Sequence, residues 1–168
     1  MIYALDVDYN GNENAYVACV GFHAWGDAEA TYEKVTFIET IAPYESGSFF
    51  KRELPCLLEA LKNCDNIEAV VVDGYVWLEE ESHYGLGMYL YDALDKKVPI
   101  VGVAKNRFNN TPTACELLRG ESAKPLYITS VGMTLEEAKV SVSTMHGAYR
   151  FPSLLKRVDS LCRQNVVG

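Results

Sequence analysis

The first forty residues contain three strand-like runs of apolar and β-branched residues, separated by short polar connections. The runs span residues 2–9, 15–23 and 31–38. The first connection, Asn10-Gly11-Asn12, is rich in turn-forming residues, as in a β-hairpin. The pattern predicts an antiparallel meander of three strands at the start of the chain.

After Pro43 the apolar residues recur at steps of three and four, which is the spacing of one helix face. This spacing holds from residue 50 to residue 61. Pro55 complicates the start, because proline fits the first turn of a helix but not its interior. We therefore expect the regular helix to begin near Leu54, with Glu53 at its mouth.

The rest of the chain alternates between strand and helix patterns. Strands are predicted at 67–73, 98–104 and 125–130. Helices are predicted at 84–94, 135–145 and 153–162. Because strand, helix, strand order implies parallel pairing, we predict an α/β fold. Its mixed sheet has three antiparallel strands and then parallel strands, with the first strand central and helices on both faces.

Length and composition narrow the class of protein. The 168 residues suit a single domain spanning 1–168. No apolar run approaches the roughly 20 residues of a membrane-spanning helix, and the opening residues lack the features of a signal peptide. We therefore expect a cytoplasmic protein with no membrane contact. Its five cysteines are scattered and never in close pairs, as expected of reduced, mostly buried thiols.

The net charge of -8 argues against loose, charge-driven binding to nucleic acid, which depends on Lys and Arg neutralising phosphates. It does not exclude a nuclease. Carboxylates that hold divalent cations count toward the formal charge, yet the bound metal reverses its sign locally.

Three acids are candidates for such a metal site. Asp6 lies inside an otherwise apolar strand, where a charge is costly unless it is paired or bound to metal. Asp73 ends a second apolar strand, and Glu53 lies near the start of the intervening helix. Each has an ordinary alternative, since Asp73 can simply begin a turn, Asp6 can pair with a buried lysine, and Glu53 can be an exposed helix acid.

Several short motifs resemble those of the endonuclease V family, in order and over nearly the whole chain. They read ALDVDY at 4–9, APYESG at 42–47, FKRELP at 50–55, VVDG at 71–74, GVAK at 102–105, RG at 119–120, PLY at 125–127 and YRFP at 149–152. The resemblance implies a ribonuclease H-like fold and hydrolysis of a phosphodiester bond near a deaminated purine, inosine, in DNA or RNA.

The resemblance also implies Mg²⁺ or Mn²⁺ as cofactor. Two such cations can activate the attacking water and stabilise the leaving oxygen. Asp6 and Asp73 would bind metal directly, and Glu53 directly or through water. Lys105 would stabilise developing phosphate charge or position the water.

The family's tyrosine wedge corresponds to Tyr44, whose ring would replace the stacking lost when a base is flipped out. The alternative is that Tyr44 packs against the Phe49-Phe50 pair. The remaining residues expected to contact substrate lie in the same motifs or just after them. They are Pro43, Gly47, Arg52, Gly74 and His83.

The chain departs from the family pattern in two places. The family usually carries Gly-x-x-His-Pro-Arg after its second acidic strand, whereas this chain has three acids at 79–81. That run is either a solvated loop or, if it lies near the site, a repulsive element that His83 partly offsets. The second departure is Met133, which stands where we expect a family histidine close to the metal.

These departures leave three hypotheses open. The first is an inosine-directed endonuclease that acts as a monomer. The second is a metal-dependent nuclease with another nucleic-acid substrate. The third is a noncatalytic protein that keeps the fold and binds nucleic acid.

Overall fold

The structure is a computed structural model that describes residues 1–79 and 83–167. The strands of the described residues are β1 Ile2–Asn10, β2 Asn14–Phe22, β3 Tyr32–Ile38, β4 Ala69–Asp73, β5 Trp77–Leu78, β6 His83–Tyr84, β7 Ile100–Ala104, β8 Glu116–Leu117 and β9 Leu126–Val131. The helices are α1 Phe50–Leu61, α2 Leu86–Ala93, α3 Leu135–Thr144 and α4 Ser153–Arg163.

Seven strands form one mixed sheet in the order β3-β2-β1-β4-β7-β9-β8, while β5 and β6 form a small separate hairpin. β1 pairs antiparallel with β2 and parallel with β4, which confirms the predicted central position of the first strand. β7 is parallel to β4, as expected. The last predicted strand is different, because β9 runs antiparallel to β7. Within the described chain no α-helix separates β7 from β9, only the 3-10 helix Thr113–Cys115, and a parallel return needs a long crossover that is usually α-helical.

Side chains of successive strand residues point to opposite faces of the sheet, and two hydrophobic clusters result. On one face Tyr3 and Leu5 pack with the buried residues of α1 and α2. On the other face Ile2 and Ala4 pack with the buried residues of α3 and α4. The prediction of helices on both faces is therefore confirmed.

The first helix begins four residues earlier than expected, at Phe50, and contains Pro55. Its opening turn forms upstream of the proline, with Lys51 N donating to Ser48 O at 3.1 Å. Both Pro55 and Lys51 are exposed, so water can satisfy the carbonyl that the proline cannot pair. Glu53 consequently lies within the first turn of a formed helix.

Two further expectations concern the environment of the chain. No helix within 1–79 or 83–167 is long and apolar enough to cross a membrane. All five cysteines are free thiols, and four of them are buried, as the sequence suggested.

The packing of Gly102 yields a stability test. A Cβ atom there would lie 2.6 Å from Gly74 O and 2.7 Å from Thr129 Oγ1, so the sheet would have to shift. We expect Gly102→Ala to lower the free energy of unfolding by about 1–3 kcal/mol in urea denaturation. Gly26→Ala is the matched control, since its added Cβ meets atoms only at 3.7 Å. Equal stability of the two variants would contradict this account of the packing.

Candidate functional site

The register of the central strands brings two acids side by side. Leu5 of β1 pairs with Val72 of β4, so Asp6 and Asp73 are the next residues along two parallel strands. Neighbouring strands lie about 4.8 Å apart. By strand alternation both acids share the face on which Ile2 and Ala4 pack, which is the face covered by α4.

Helix α4 adds a third acid to this face, Asp159. Ligand atoms of Asp6, Asp159 and Cys162 all lie within 4.8 Å of one another, which makes this group a potential metal site. Asp159 Oδ1 also accepts a hydrogen bond from Arg163 Nε at 3.0 Å. The side chain of Asp159 is thus held beside Asp6.

The sequence reading missed Asp159, although a signal was present. The buried positions of α4 include Leu155, Val158 and Cys162. Asp159 lies four residues after Leu155 and three residues before Cys162, so it borders the apolar face of the helix. An acid at the border of a buried helix face is unusual enough to mark a candidate ligand.

Glu53 approaches from the opposite face of the sheet. Its side chain is buried at 7% exposure, and Oε2 has no hydrogen-bond partner among the described residues. Glu53 and Asp73 line one cavity, and Asp6 and Asp73 line a second, smaller one. In the described chain the group of ligand atoms within 4.8 Å does not include Glu53 or Asp73. Asp73 thus lines both cavities, and in the described chain the three predicted acids do not form a single group with all ligand atoms within 4.8 Å of one another.

The three predicted acids have raised pKa values. Burial, followed by repulsion from Asp6 and Asp73, raises the pKa of Glu53 to about 8. Burial and then the neighbouring Asp73 and Asp159 raise the pKa of Asp6. Asp73 is exposed, yet loss of water around its carboxylate still raises its pKa, and Lys105 opposes that shift. Such a set of carboxylates ionises readily only when a cation joins it.

The donor atoms fit a hard divalent cation. Asp6, Glu53, Asp73 and Asp159 offer carboxylate oxygens, the ligands that Mg²⁺ and Mn²⁺ prefer. The unpartnered Oε2 of Glu53 is a buried oxygen that a cation or its water would satisfy. Cys162 does not fit such an ion, because burial raises the pKa of its thiol and its Sγ donates to Asp159 O at 3.2 Å.

Lys105 follows β7 directly, at the same end of the sheet as Asp73. Its ammonium group lies 4.3 Å from the centre of the Phe151 ring. Burial raises the pKa of Asp73, and the charge of Lys105 opposes part of that rise. The predicted basic residue is therefore adjacent to the acids.

A cavity of about 370 Å³ opens beside Glu53 and Asp73. Its lining includes Gly47 and a set of aromatic side chains, which are Phe49, Phe50, Tyr75, Tyr84, Tyr89 and Phe108. Gly74 also lines it, with a φ of +127° and nothing within 4 Å of where a Cβ would be. Only glycine adopts this backbone conformation without strain, and it leaves the backbone open to a ligand.

Tyr44 is 59% exposed in the loop that precedes α1, next to the exposed Pro43. The alternative partners of Tyr44 are already engaged with other rings. Phe50 stacks on Tyr89 at 3.7 Å between ring centres, and Phe49 contacts Tyr9 edge-on at 6.4 Å. The geometry leaves the Tyr44 ring available to a ligand.

Two predicted substrate contacts, Arg52 and His83, have polar neighbours within this chain, and their contact with substrate stays a prediction. Arg52 is buried, with its guanidinium 4.0 Å from the Tyr9 ring centre and donating to Gly11 O and Asn12 Oδ1. Arg52 therefore braces the β1–β2 turn, and its charge also opposes the rise that burial causes in the pKa of Glu53. His83 is exposed on β6, and its Nδ1 lies 3.7 Å from Glu79 Oε2.

The expectation that Met133 occupies the place of a metal-adjacent histidine is wrong. Val131, two residues earlier, pairs with Ile100 at the start of β7, whereas Lys105 follows the end of β7. Five residues of strand span about 16 Å. Met133 thus lies at the far end of the sheet and packs against the core, so it replaces no ligand beside Asp6. Residues 80 and 81 of the acidic run lie outside the described residues.

Comparison with known proteins identifies the family. The family profile described as Endonuclease V matches residues 1–140. The chain belongs to the endonuclease V family. Endonuclease V of Pyrococcus horikoshii is 30% identical over 165 residues, which cover 97% of this chain and 73% of that protein. The sequence-based family assignment is confirmed, and the chain is an endonuclease V-type enzyme.

Solved structures agree with the assignment. Human ENDOV superposes with a TM-score of 0.76 at 25% identity, covering 97% of this chain and 82% of that chain. Endonuclease V of Ciona intestinalis, solved in complex with a 24mer DNA containing an inosine followed by a ribo-adenosine, superposes with a TM-score of 0.78. At 18% identity and coverage of 97% and 84%, the Ciona match shows the fold. The predicted ribonuclease H-like fold of this endonuclease V-family chain is confirmed.

The raised pKa of Glu53 predicts how stability depends on pH in the absence of metal. An unfolded glutamate titrates near pH 4.3, whereas folded Glu53 titrates at about 8. Between these values the folded state holds more protons, so the free energy of unfolding must fall as pH rises from about 4 to 8. We expect metal-free Glu53→Gln to exceed the wild type by about 1–3 kcal/mol at pH 8 and to match it near pH 4.

Urea denaturation in EDTA at several pH values measures this effect. Glu59→Gln is the matched control, because Glu59 is exposed on the same helix. If the free energies of unfolding of the wild type and of Glu53→Gln differed by the same amount at every pH, the electrostatic description of the site would be wrong.

Proposed function

We propose that this protein hydrolyses a phosphodiester bond near inosine in DNA or RNA, with Mg²⁺ or Mn²⁺ as cofactor. The observation that carries the proposal is the position of the acids against an aromatic cavity of about 370 Å³ whose wall includes the bare backbone of Gly74. A flipped base needs stacking surfaces and close backbone approach. Cleavage beside it needs oxygen ligands for cations within reach of the same nucleotide.

Four carboxylates would hold the cofactor in this proposal. Asp6 and Asp159 belong to one group of ligand atoms within 4.8 Å, and Asp73 lines the cavities that contain Asp6 and Glu53. Bound divalent cations would supply activation of water and stabilisation of the leaving oxygen. The chain itself contributes the orientation of the carboxylates and the exclusion of bulk water from Glu53.

Lys105 and the glycine-bearing loops have supporting roles. Lys105 is adjacent to Asp73, where its charge would stabilise a phosphate oxygen or position a water molecule. Gly47 and Gly74 line the cavity, and Pro43 and Tyr44 lie exposed on the loop before it. The DNA in the Ciona complex contains an inosine, which supports the choice of lesion.

The first test is cleavage of end-labelled single-stranded and duplex DNA and RNA, each with and without one inosine, in Mg²⁺ or Mn²⁺. Because Asp159 shares the site of Asp6, we expect Asp159→Asn to lower the cleavage rate by about 10–100-fold or more. Asp73→Ala is expected to abolish cleavage. Asp92→Asn is the matched control, since Asp92 is exposed on α2.

The substrates separate the hypotheses. Cleavage beside inosine that both site variants lose supports the proposal. Cleavage without preference for inosine, still lost in the variants, indicates a nuclease with another nucleic-acid substrate. Absence of cleavage with intact nucleic-acid binding indicates the noncatalytic alternative.

A second test concerns Tyr44 as the residue that separates the strands beside the lesion. Stacking of an aromatic ring on a base is worth about 1–3 kcal/mol, and only a duplex requires strand separation. We expect Tyr44→Ala to lower duplex cleavage about tenfold or more and single-strand cleavage less. Tyr44→Phe should retain both activities. An equal loss on the two substrates would argue against strand separation.

A further inference from the structure

A second groove lies on the other side of the acids from the aromatic cavity. It has a volume of about 480 Å³ and is lined by Lys105, Tyr149, Phe151, Ser153, Lys156 and Asp159. Asp159 belongs both to this groove and to the acid group around Asp6. Phe151 also lines the small cavity beside Asp6 and Asp73. The groove is therefore continuous with the candidate metal site.

Tyr149 is the exposed aromatic residue of the groove, with 79% of its surface accessible to solvent. The backbone that carries it is tightly held. Buried Arg119 donates to Tyr149 O and Met145 O, both at 2.7 Å, to Gly147 O at 3.1 Å and to Arg150 O at 3.3 Å. One guanidinium thus fixes four carbonyl groups of the loop between α3 and α4.

A second guanidinium fixes the same loop to the sheet. Arg150 donates to Lys124 O at 3.0 Å, to Pro125 O at 2.7 Å and to Lys105 O. Arg119 holds the carbonyl of Tyr149 and Arg150 anchors the next residue, so the Tyr149 ring is exposed on a rigid support. Binding a ligand to such a ring costs little ordering of the backbone.

The charges of the groove suit a phosphate backbone more than a neutral ligand. Lys105 and Lys156 contribute two cationic groups, and Lys156 is exposed. The acid in the groove, Asp159, is shared with the candidate metal site, where a divalent cation would neutralise it. An aromatic ring beside lysines is the combination that binds single-stranded nucleic acid without reading its sequence.

We propose that this groove binds the nucleotides on the far side of the cleaved bond from the inosine, with Tyr149 stacking on a base and Lys156 contacting a phosphate. The proposal rests on the proposed function, because it assumes that the inosine occupies the aromatic cavity and that the scissile phosphate lies at the acids. The strand then runs from the cavity, across Asp6 and Asp73, to Tyr149. The groove then binds the nucleotides that flank the inosine without selecting particular bases.

The test measures binding of fluorescein-labelled single-stranded DNA by anisotropy, with Ca²⁺ in place of Mg²⁺. One oligomer extends ten nucleotides to each side of an inosine. In a second oligomer the 5′ flank of the inosine is shortened to two nucleotides. In a third oligomer the 3′ flank is shortened to two nucleotides instead. A fourth oligomer has guanosine in place of inosine.

We expect Tyr149→Ala to weaken binding of the long oligomer about tenfold, and Tyr149→Trp to retain it. On one of the two shortened oligomers, wild type and Tyr149→Ala should bind equally, because the base that stacks on Tyr149 is missing. Lys156→Gln should lower the slope of log affinity against log salt by about one. Phe37→Ala and Lys62→Gln are the matched controls, as exposed residues on β3 and just after α1.

Tyr149→Ala binding within twofold of wild type on the long oligomer would overturn the inference, as would an equal loss on all oligomers or no binding by the wild type. The guanosine oligomer tests the proposed function separately. If the wild type binds it as well as inosine while the Tyr149 effect persists, the inosine specificity fails and the groove remains.

Discussion

Repulsion between carboxylates that are forced together by sheet register is the constraint on which the site depends. Asp6 and Asp73 are adjacent because β1 and β4 are parallel and Leu5 pairs with Val72. The sheet cannot separate them without losing its core register. Asp159 and Glu53 then come from helices on opposite faces. Without metal, the repulsion between these carboxylates lowers the stability of the fold. A bound divalent cation would remove that repulsion, so the same charges raise the affinity for the cation.

Local sequence patterns determined most of the fold. The three strands of the meander, the two central parallel strands and the four helices appear where apolar periodicity and turn residues place them. The antiparallel direction of β9 was not predictable, because it depends on how a long irregular connection returns to the sheet. The start of α1 was misplaced since Pro55 was weighed as a barrier, whereas the helix nucleates upstream of it.

The site was predictable only in part, for a related reason. Motif order identified Asp6, Glu53 and Asp73, whose neighbours along the chain are distinctive. Asp159 is brought to Asp6 by packing of α4 on the sheet, which no local motif records. The same limit explains Arg52 and Met133. Arg52 donates to Asn12 in a turn forty residues away in sequence, and Met133 is placed far from the acids by the direction of β9.

Helix α4 contributes residues both to the candidate metal site and to the adjacent groove. It carries Asp159 for the acid group and Lys156 for the adjacent groove, and it covers the sheet face below Asp6. Local opening of a single helix costs less free energy than global unfolding. Five residues of α4 are buried in the core on that face, so opening of the helix would remove Asp159 and Lys156 and expose that core at the same time. Activity and packing on this face of the sheet therefore depend on the same helix contacts.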